Sequence, residues 1–230
     1  MKNLCLLALA LSVSLLWLGC SSPSETKQEY SLFAEVPIDA KTNCIPLASS
    51  AAARTTLASG TYPLRVWGTT GARVCAVFAS DAPTPEVRIF WPGYDFQITV
   101  GRDSFFYAFF TRTPFASDTA SSVTFDFGTT TMTVTARDNS ISLDSIAAFV
   151  DLPPGKDYSA GFSGSAILDG QTPANAFYYQ YSNFVSDITT ISVGYWSFRT
   201  NTRLYFFLVD PGPLTDNSGT ITANVLSKLE

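Results

Sequence analysis

The sequence contains no histidine, and only 14% of its residues are charged. Glutamate is scarce, and Glu35 and Glu86 are the only two between the amino-terminal segment and Glu230. Without histidine the chain cannot form a Ser-His-Asp triad, a Cys-His dyad or a zinc site with histidine ligands. No pair of aspartates stands at a spacing recognisable for glycoside hydrolysis. We therefore expect a protein that is not an enzyme.

Basic residues are also few. The chain has 14 Lys and Arg against 19 Asp and Glu, a net charge of −5. A chain of this charge has no electrostatic reason to bind nucleic acid. No segment after the amino terminus keeps a helical period for long, and Thr, Ser, Val, Phe and Tyr are plentiful. This composition is typical of an exported all-β protein.

Residues 1–19 are predicted to be a signal peptide. Lys2 supplies a short positive region, and Leu4 to Leu18 is an uncharged apolar run. A run of this length fits a secretory signal better than a membrane-spanning helix.

The end of this run, Leu18-Gly19-Cys20, resembles the lipobox of bacterial lipoproteins. The resemblance implies that Cys20 is diacylated, that residues 20–31 form a lipidated tether, and that the membrane is a partner. Because Ser21 rather than Asp follows the cysteine, the resemblance also implies the outer membrane of the cell envelope. The alternative is a signal peptide without lipidation and a cysteine there by chance.

Short apolar segments separated by turn residues predict many strands, which is the pattern of a β-sandwich. The predicted strands are 64–67, 74–78, 87–91, 96–100, 105–110, 122–127, 131–135, 146–152, 158–162, 176–181, 188–193, 204–209 and 220–225.

The two halves of this strand region resemble each other. Residues 105–125 align with 203–223, so that Tyr107 matches Tyr205 and Phe109 matches Phe207. Upstream, 98–101 matches 191–194 after a five-residue insertion. We therefore predict an all-β fold with two tandem antiparallel, jelly-roll-like β-sandwich domains, residues 32–130 and 131–230. The alternative is one larger sandwich.

Two cysteines, Cys44 and Cys75, follow the predicted tether. Disulfides form in exported proteins, so we expect these two to be bridged. The alternative is a pair of buried thiols.

The segment from Asp210 to Gly219 concentrates polar ligands between two predicted strands. Asp210, Asp216 and Asn217 carry side-chain oxygens, and Ca²⁺ takes six to eight oxygen ligands. The same residues are also those of ordinary turns, so two consecutive turns remain the alternative.

A strand, then D-x-G-x-x-x-D-N-S-G, then a closing Thr/Ile strand resembles the carboxyl-terminal hairpin of the small calcium-dependent galactophilic lectins of bacteria. The resemblance covers about residues 190–225, and the loop of this chain is one residue shorter. It implies that Asp210, Asp216, Asn217 and a carbonyl near Leu214 bind Ca²⁺, and that the ion binds two sugar hydroxyls. The loop at Gln171 would complete the ligand site.

These observations predict a lipid-anchored, exported binding protein that recognises carbohydrate through calcium in its second domain. The alternative is a structural or protein-interaction lipoprotein of the cell surface or periplasm with no small-molecule ligand. Glycans or a surface protein are the expected partners.

Overall fold

A computed structural model describes residues 29–79, 86–113, 119–168, 172–173, 176–180, 187–190, 194–197 and 201–229. Two short 3₁₀ helices, Leu47–Ser49 and Leu143–Ser145, interrupt a chain that is otherwise strands and turns. The strands are β1 (Tyr30–Asp39), β2 (Cys44–Pro46), β3 (Ala53–Leu57), β4 (Gly60–Gly68), β5 (Val74–Ala79), β6 (Glu86–Phe90), β7 (Asp95–Val100), β8 (Ser104–Arg112), β9 (Ser122–Asp126), β10 (Thr131–Thr135), β11 (Ser140–Ser142), β12 (Ala148–Leu152), β13 (Asp157–Leu168), β14 (Thr172–Pro173), β15 (Ala176–Gln180), β16 (Asp187–Thr190), β17 (Gly194–Ser197), β18 (Thr202–Asp210) and β19 (Ser218–Lys228).

The strands form four sheets, which pack as two sandwiches and confirm the predicted all-β class. In the first sandwich, a sheet of order β10-β9-β4-β7 faces a sheet of order β11-β8-β5-β6, to which β3 is added beside β8. In the second, β1-β19-β13-β14, with β17 also beside β13, faces β12-β18-β15-β16, with β2 beside β18. No helix in the described ranges has the length and apolarity needed to cross a bilayer.

The two sandwiches share one strand order. Strand β8 pairs in parallel with β11 and antiparallel with β3 and β5. Strand β18 has the same three kinds of neighbour in β2, β12 and β15. Gly68 and Gly164 also match, because each lies where a Cβ would collide with a neighbouring backbone carbonyl, at 2.1 and 2.4 Å. In both places only glycine allows the strands this approach.

The alignment predicted for the segment before β8 and β18 is wrong. Leu64 pairs with Phe96 in the first sandwich, and the equivalent Ala160 pairs with Gly194 in the second. Phe96 and Gly194 therefore correspond, at the same spacing as Tyr107 and Tyr205. Gly194 therefore does not correspond to Gly101, and no five-residue insertion separates these described strands.

The predicted domain limits differ from the strand pairing at both ends. Strands β1 and β2, placed by sequence in the first domain, pair with β19 and β18 of the second sandwich. Strands β10 and β11, placed by sequence in the second domain, pair with β9 and β8 of the first. The second sandwich therefore includes two strands, β1 and β2, that precede the first sandwich in the chain, and the first sandwich ends with two strands, β10 and β11, that the sequence placed in the second. The first sandwich is β3–β11, and the second is β12–β19 completed by β1 and β2.

Three apolar clusters follow from strand alternation in β8 and β18. Phe106 and Phe206 point into the cores of their own sandwiches. Their neighbours Tyr107, Phe109, Tyr205 and Phe207 point the opposite way. These side chains meet in one further buried cluster that joins the sheets of the two sandwiches. The repeated aromatic pattern thus encodes both the separate cores and the interface between them.

The same alternation explains why the expected Cys44–Cys75 disulfide is absent. Both cysteines are buried, and they are not bonded to each other. Cys44 faces the core of the second sandwich, whereas its neighbour Ile45 and Cys75 face the interface cluster. On β2 it is Ile45, and not Cys44, whose side chain shares a cluster with Cys75. The two thiols therefore point into different clusters. Burial raises the pKa of the Cys75 thiol, which keeps it protonated and unreactive.

Candidate functional site

The predicted calcium loop connects β18 to β19. Strand β18 lies between neighbours on both sides, and every residue from Leu204 to Val209 is buried. Asp210 ends this strand and continues the buried run with no exposed surface. The loop therefore begins with a carboxyl group inside the protein rather than at its surface.

Only one of the two carboxyl oxygens of Asp210 accepts a hydrogen bond from the described residues. Its Oδ1 accepts a hydrogen bond of 2.7 Å from the Gly212 amide, whereas its buried Oδ2 accepts none from any described residue. Burial raises the pKa of Asp210, and the charge of Asp216 adds to that rise. The Gly212 amide and the nearby Asn217 side chain oppose it. An ionised carboxylate in this position lacks a full set of partners.

Asn217 lies at the other end of the loop and is also buried, with 1% of its surface exposed. Its Nδ2 donates a 3.0 Å hydrogen bond to the Ala40 carbonyl, but its Oδ1 has no partner within the described part of the chain. Ala40 in turn donates its amide to the Gly219 carbonyl at 3.1 Å. The turn after β1 therefore fixes this end of the loop, and the amino-terminal strand helps to build the site.

The remaining predicted site residues are placed differently. Asp216 is exposed on the loop but close enough for its charge to act on Asp210. Leu214 is half-buried, and its side chain packs on the core of the second sandwich. Gln171 and Cys20 lie outside the described residues. The structure thus brings together Asp210 and Asn217, with Asp216 at the surface nearby.

The donor set is made of hard oxygens only, which suits Ca²⁺ better than a transition metal. Nowhere in the described ranges do three or more acidic or cysteine side chains come together as metal ligands. Two carboxylates and one amide oxygen would supply part of a calcium shell, and loop carbonyls or water would have to complete it. The two buried oxygens without partners fit such an ion.

Strands β1 and β2 form one exchanged segment, and β10 and β11 form the other. Sequence reasoning missed the two asparagines that hold these segments in place. Asn43 Oδ1 accepts the Asp39 amide at 3.0 Å, and Asn43 Nδ2 donates to the Ile146 carbonyl at 2.7 Å. Asn139 makes the same two bonds, to the Thr135 amide at 3.0 Å and the Ala51 carbonyl at 2.9 Å.

Each asparagine closes the turn between the two strands of its own exchanged segment. It also donates a hydrogen bond to the chain that follows the other exchanged segment. A signal for this was present, because A-(K/R)-x-N-x-I-x-L occurs at residues 40–47 and again at 136–143. An internal comparison of these short stretches would have identified both turns, at Asn43 and at Asn139.

A comparison of the sequence with models of protein families and with curated protein sequences finds no match. Solved structures give low similarity. The secreted serine protease VesC from Vibrio cholerae matches with a TM-score of 0.24 and 9% identity, over 88% of this chain and 50% of that one. Oxalate decarboxylase OxdC from Bacillus subtilis gives 0.18 and 9%, over 86% and 74%. The oxalate decarboxylase of Lactobacillus farciminis gives 0.17 and 8%, over 87% and 83%. This chain spans half the length of the protease chain, and none of these values supports a functional argument.

Proposed function

We propose that this protein is an exported, lipid-anchored binding protein whose second sandwich binds Ca²⁺ between β18 and β19 and recognises carbohydrate through that ion. The observation that carries the proposal is the pair of buried oxygens, Asp210 Oδ2 and Asn217 Oδ1, that lack hydrogen-bond partners among the described residues.

The electrostatics of the loop favour a cation. Burying an unpaired carboxylate costs several kcal/mol, so such a group either takes up a proton or acquires a positive partner. The pKa of Asp210 is raised, and the exposed Asp216 adds a second negative charge nearby. A dication would relieve both the desolvation and the repulsion between these carboxylates.

Carbohydrate is the ligand class that suits such an ion. Vicinal sugar hydroxyls are neutral hard oxygens and can replace water on Ca²⁺ without adding charge. Asp216 marks the exposed side of the loop, from which a ligand would reach the ion. Asp210 and Asn217 would hold the ion from the buried side, and a carboxylate at Asp216 would accept hydrogen bonds from the same hydroxyls.

Calcium is expected to stabilise the folded protein, and Asp210→Asn is expected to abolish the effect. At 100 times its dissociation constant, an ion that binds only the folded state adds about 2.7 kcal/mol. Thermal unfolding of the wild type and of the variant, each in calcium and in chelator, measures this difference. Asp210→Asn keeps the shape of the side chain but cannot ionise, so in chelator it should unfold no earlier than the wild type.

The effect should also depend on pH. The pKa of Asp210 is higher in the folded than in the unfolded protein, so its contribution to stability falls as pH rises through the folded value. Calcium competes with that proton, and its stabilisation should therefore weaken as the pH falls through the raised pKa of Asp210.

Asp126→Asn is the matched control. Asp126 closes a D-x-G turn at the end of β9 with the same bond, from the Gly128 amide to its Oδ1 at 2.8 Å, but it is not buried. This variant should keep the full calcium shift. If the wild type has the same melting temperature in millimolar calcium and in chelator, the loop is an ordinary hairpin turn and the calcium proposal is refuted. Loss of galactose or oligosaccharide binding in chelator tests the carbohydrate part separately.

Anchoring is the remaining part of the proposal, and it rests on Cys20 behind an uninterrupted apolar run. Mass spectrometry of the mature amino terminus should show a diacylglycerol-modified cysteine, and an unmodified terminus cut elsewhere would contradict it.

A further inference from the structure

The hairpin between β6 and β7 forms an aromatic corner on the first sandwich. Trp91 and Tyr94 lie on either side of a Pro-Gly turn, with ring centroids 4.5 Å apart and planes at 72°. Below them, Tyr94 meets the buried Phe90 edge to face at 5.6 Å, and Phe96 stacks on Phe90 at 5.9 Å. These rings line an open groove of about 730 Å³, within the size range of small-molecule sites.

The corner is held rigidly by the neighbouring strand β4. Val66 donates its amide to the Tyr94 carbonyl at 2.9 Å and accepts the Gly93 amide at 2.8 Å. Gly93 has a φ of +110°, which favours glycine, so the turn itself is specified by sequence. A pre-formed aromatic surface loses little conformational entropy when it binds a ligand. Trp91 nevertheless remains 45% exposed, although burying it would be favourable.

Charged side chains of both signs surround the rings. Arg88 and Asp95 line the groove, and Asp95 forms an exposed ion pair of 3.5 Å with Arg65. Arg73 lies over the Trp91 ring, 5.7 Å from its centroid. Because Arg73 already occupies a cation–π position on Trp91, a quaternary ammonium ligand would have to compete with it for that ring.

We infer that this groove is a second carbohydrate-binding site, specific for a neutral sugar and independent of calcium. A pyranose ring has an apolar C–H face and a rim of hydroxyls. The Trp91 and Tyr94 rings match the face, and the carboxylate and guanidinium groups of Asp95 and Arg88 match the rim. The site lies on the first sandwich and uses none of the loop residues between β18 and β19.

The test is a titration of the full chain in chelator with lactose, maltotetraose and chitotetraose, followed by tryptophan fluorescence and calorimetry. At least one of these neutral oligosaccharides should bind saturably. Trp91→Ala should weaken that binding about tenfold, which corresponds to about 1.4 kcal/mol, because the stacking face for the sugar ring is lost. Tyr94→Ala provides a second variant, and circular dichroism checks that both remain folded.

Trp67→Ala is the matched control. Trp67 is 47% exposed on β4 of the same sandwich, yet it does not line the groove. This variant should bind as the wild type does. The inference is overturned if none of the three sugars binds in chelator, or if binding survives both Trp91→Ala and Tyr94→Ala. Binding that requires calcium would belong to the loop of the second sandwich and would also contradict it.

Discussion

Removal of residues 29–46 is expected to unfold the second sandwich while the first retains its fold. This segment contains β1 and β2, which pair with β19 and β18. Val36 and Ile38 of β1 are buried in the core of the second sandwich, and each contributes about 1.5–3 kcal/mol by burial. Adding the lost strand hydrogen bonds at about 0.5–1.5 kcal/mol each brings the cost to the typical stability of a whole domain.

Hydrogen exchange read by mass spectrometry distinguishes the two sandwiches. Amides of β13, β18 and β19 should lose protection in the truncated protein, whereas those of β4, β8 and β9 should keep part of it, because the first sandwich stays folded but loses its packing against the second. Removal of residues 21–28 leaves β1 in place and serves as the control. Full protection of β19 in the truncated protein would mean that the exchanged strands are dispensable.

Phe207→Ala is expected to destabilise both sandwiches by about 3–5 kcal/mol, although Phe207 belongs to the second. Its side chain is completely buried in the interface cluster, together with Tyr107 and Phe109 of the first sandwich. A cavity there weakens packing on both sides of the interface. For a protein of this size the melting temperature should fall by about 10 °C.

Calorimetry shows whether the two sandwiches unfold together. We expect one transition that moves as a whole, and Phe109→Ala, at the equivalent place in β8, should have a similar effect. Phe105→Ala is the control, because Phe105 lies on the same strand but is 43% exposed, and its loss should cost about 1 kcal/mol or less. Two separate transitions, only one of them shifted, would show that the interface does not couple the sandwiches.

The main strands could be predicted from sequence because each carries its own signal. Strand β10 matches its predicted limits, and the aromatic run at β18 is buried throughout. Strand β1 was missed because its sequence, YSLFAEVPID, contains a proline and two acids, which disfavour a central strand. It lies at the edge of its sheet, where a residue without an amide hydrogen is tolerated.

Which partner each strand chooses could not be read from local patterns. The exchange of β1, β2, β10 and β11 depends on contacts between distant parts of the chain, and residues 32–130 therefore formed a plausible but incorrect unit. Local sequence is equally insufficient for the loop between β18 and β19. Sequence identified Asp210 and Asn217 as oxygen ligands at one loop, but their burial and the role of Ala40 depend on tertiary packing.

The pairing of β1 with β19 also affects how the chain folds during synthesis. Strand β1 is made first but has no partner until β19 appears, about 180 residues later. Closing so long a loop adds little to the equilibrium cost, because each doubling of length costs only about 0.6 kcal/mol. Long-range pairing slows folding much more than it lowers stability. In the meantime β1 presents an unpaired edge that carries Leu32 and Phe33, so the second sandwich should be the slow and aggregation-prone part of this protein.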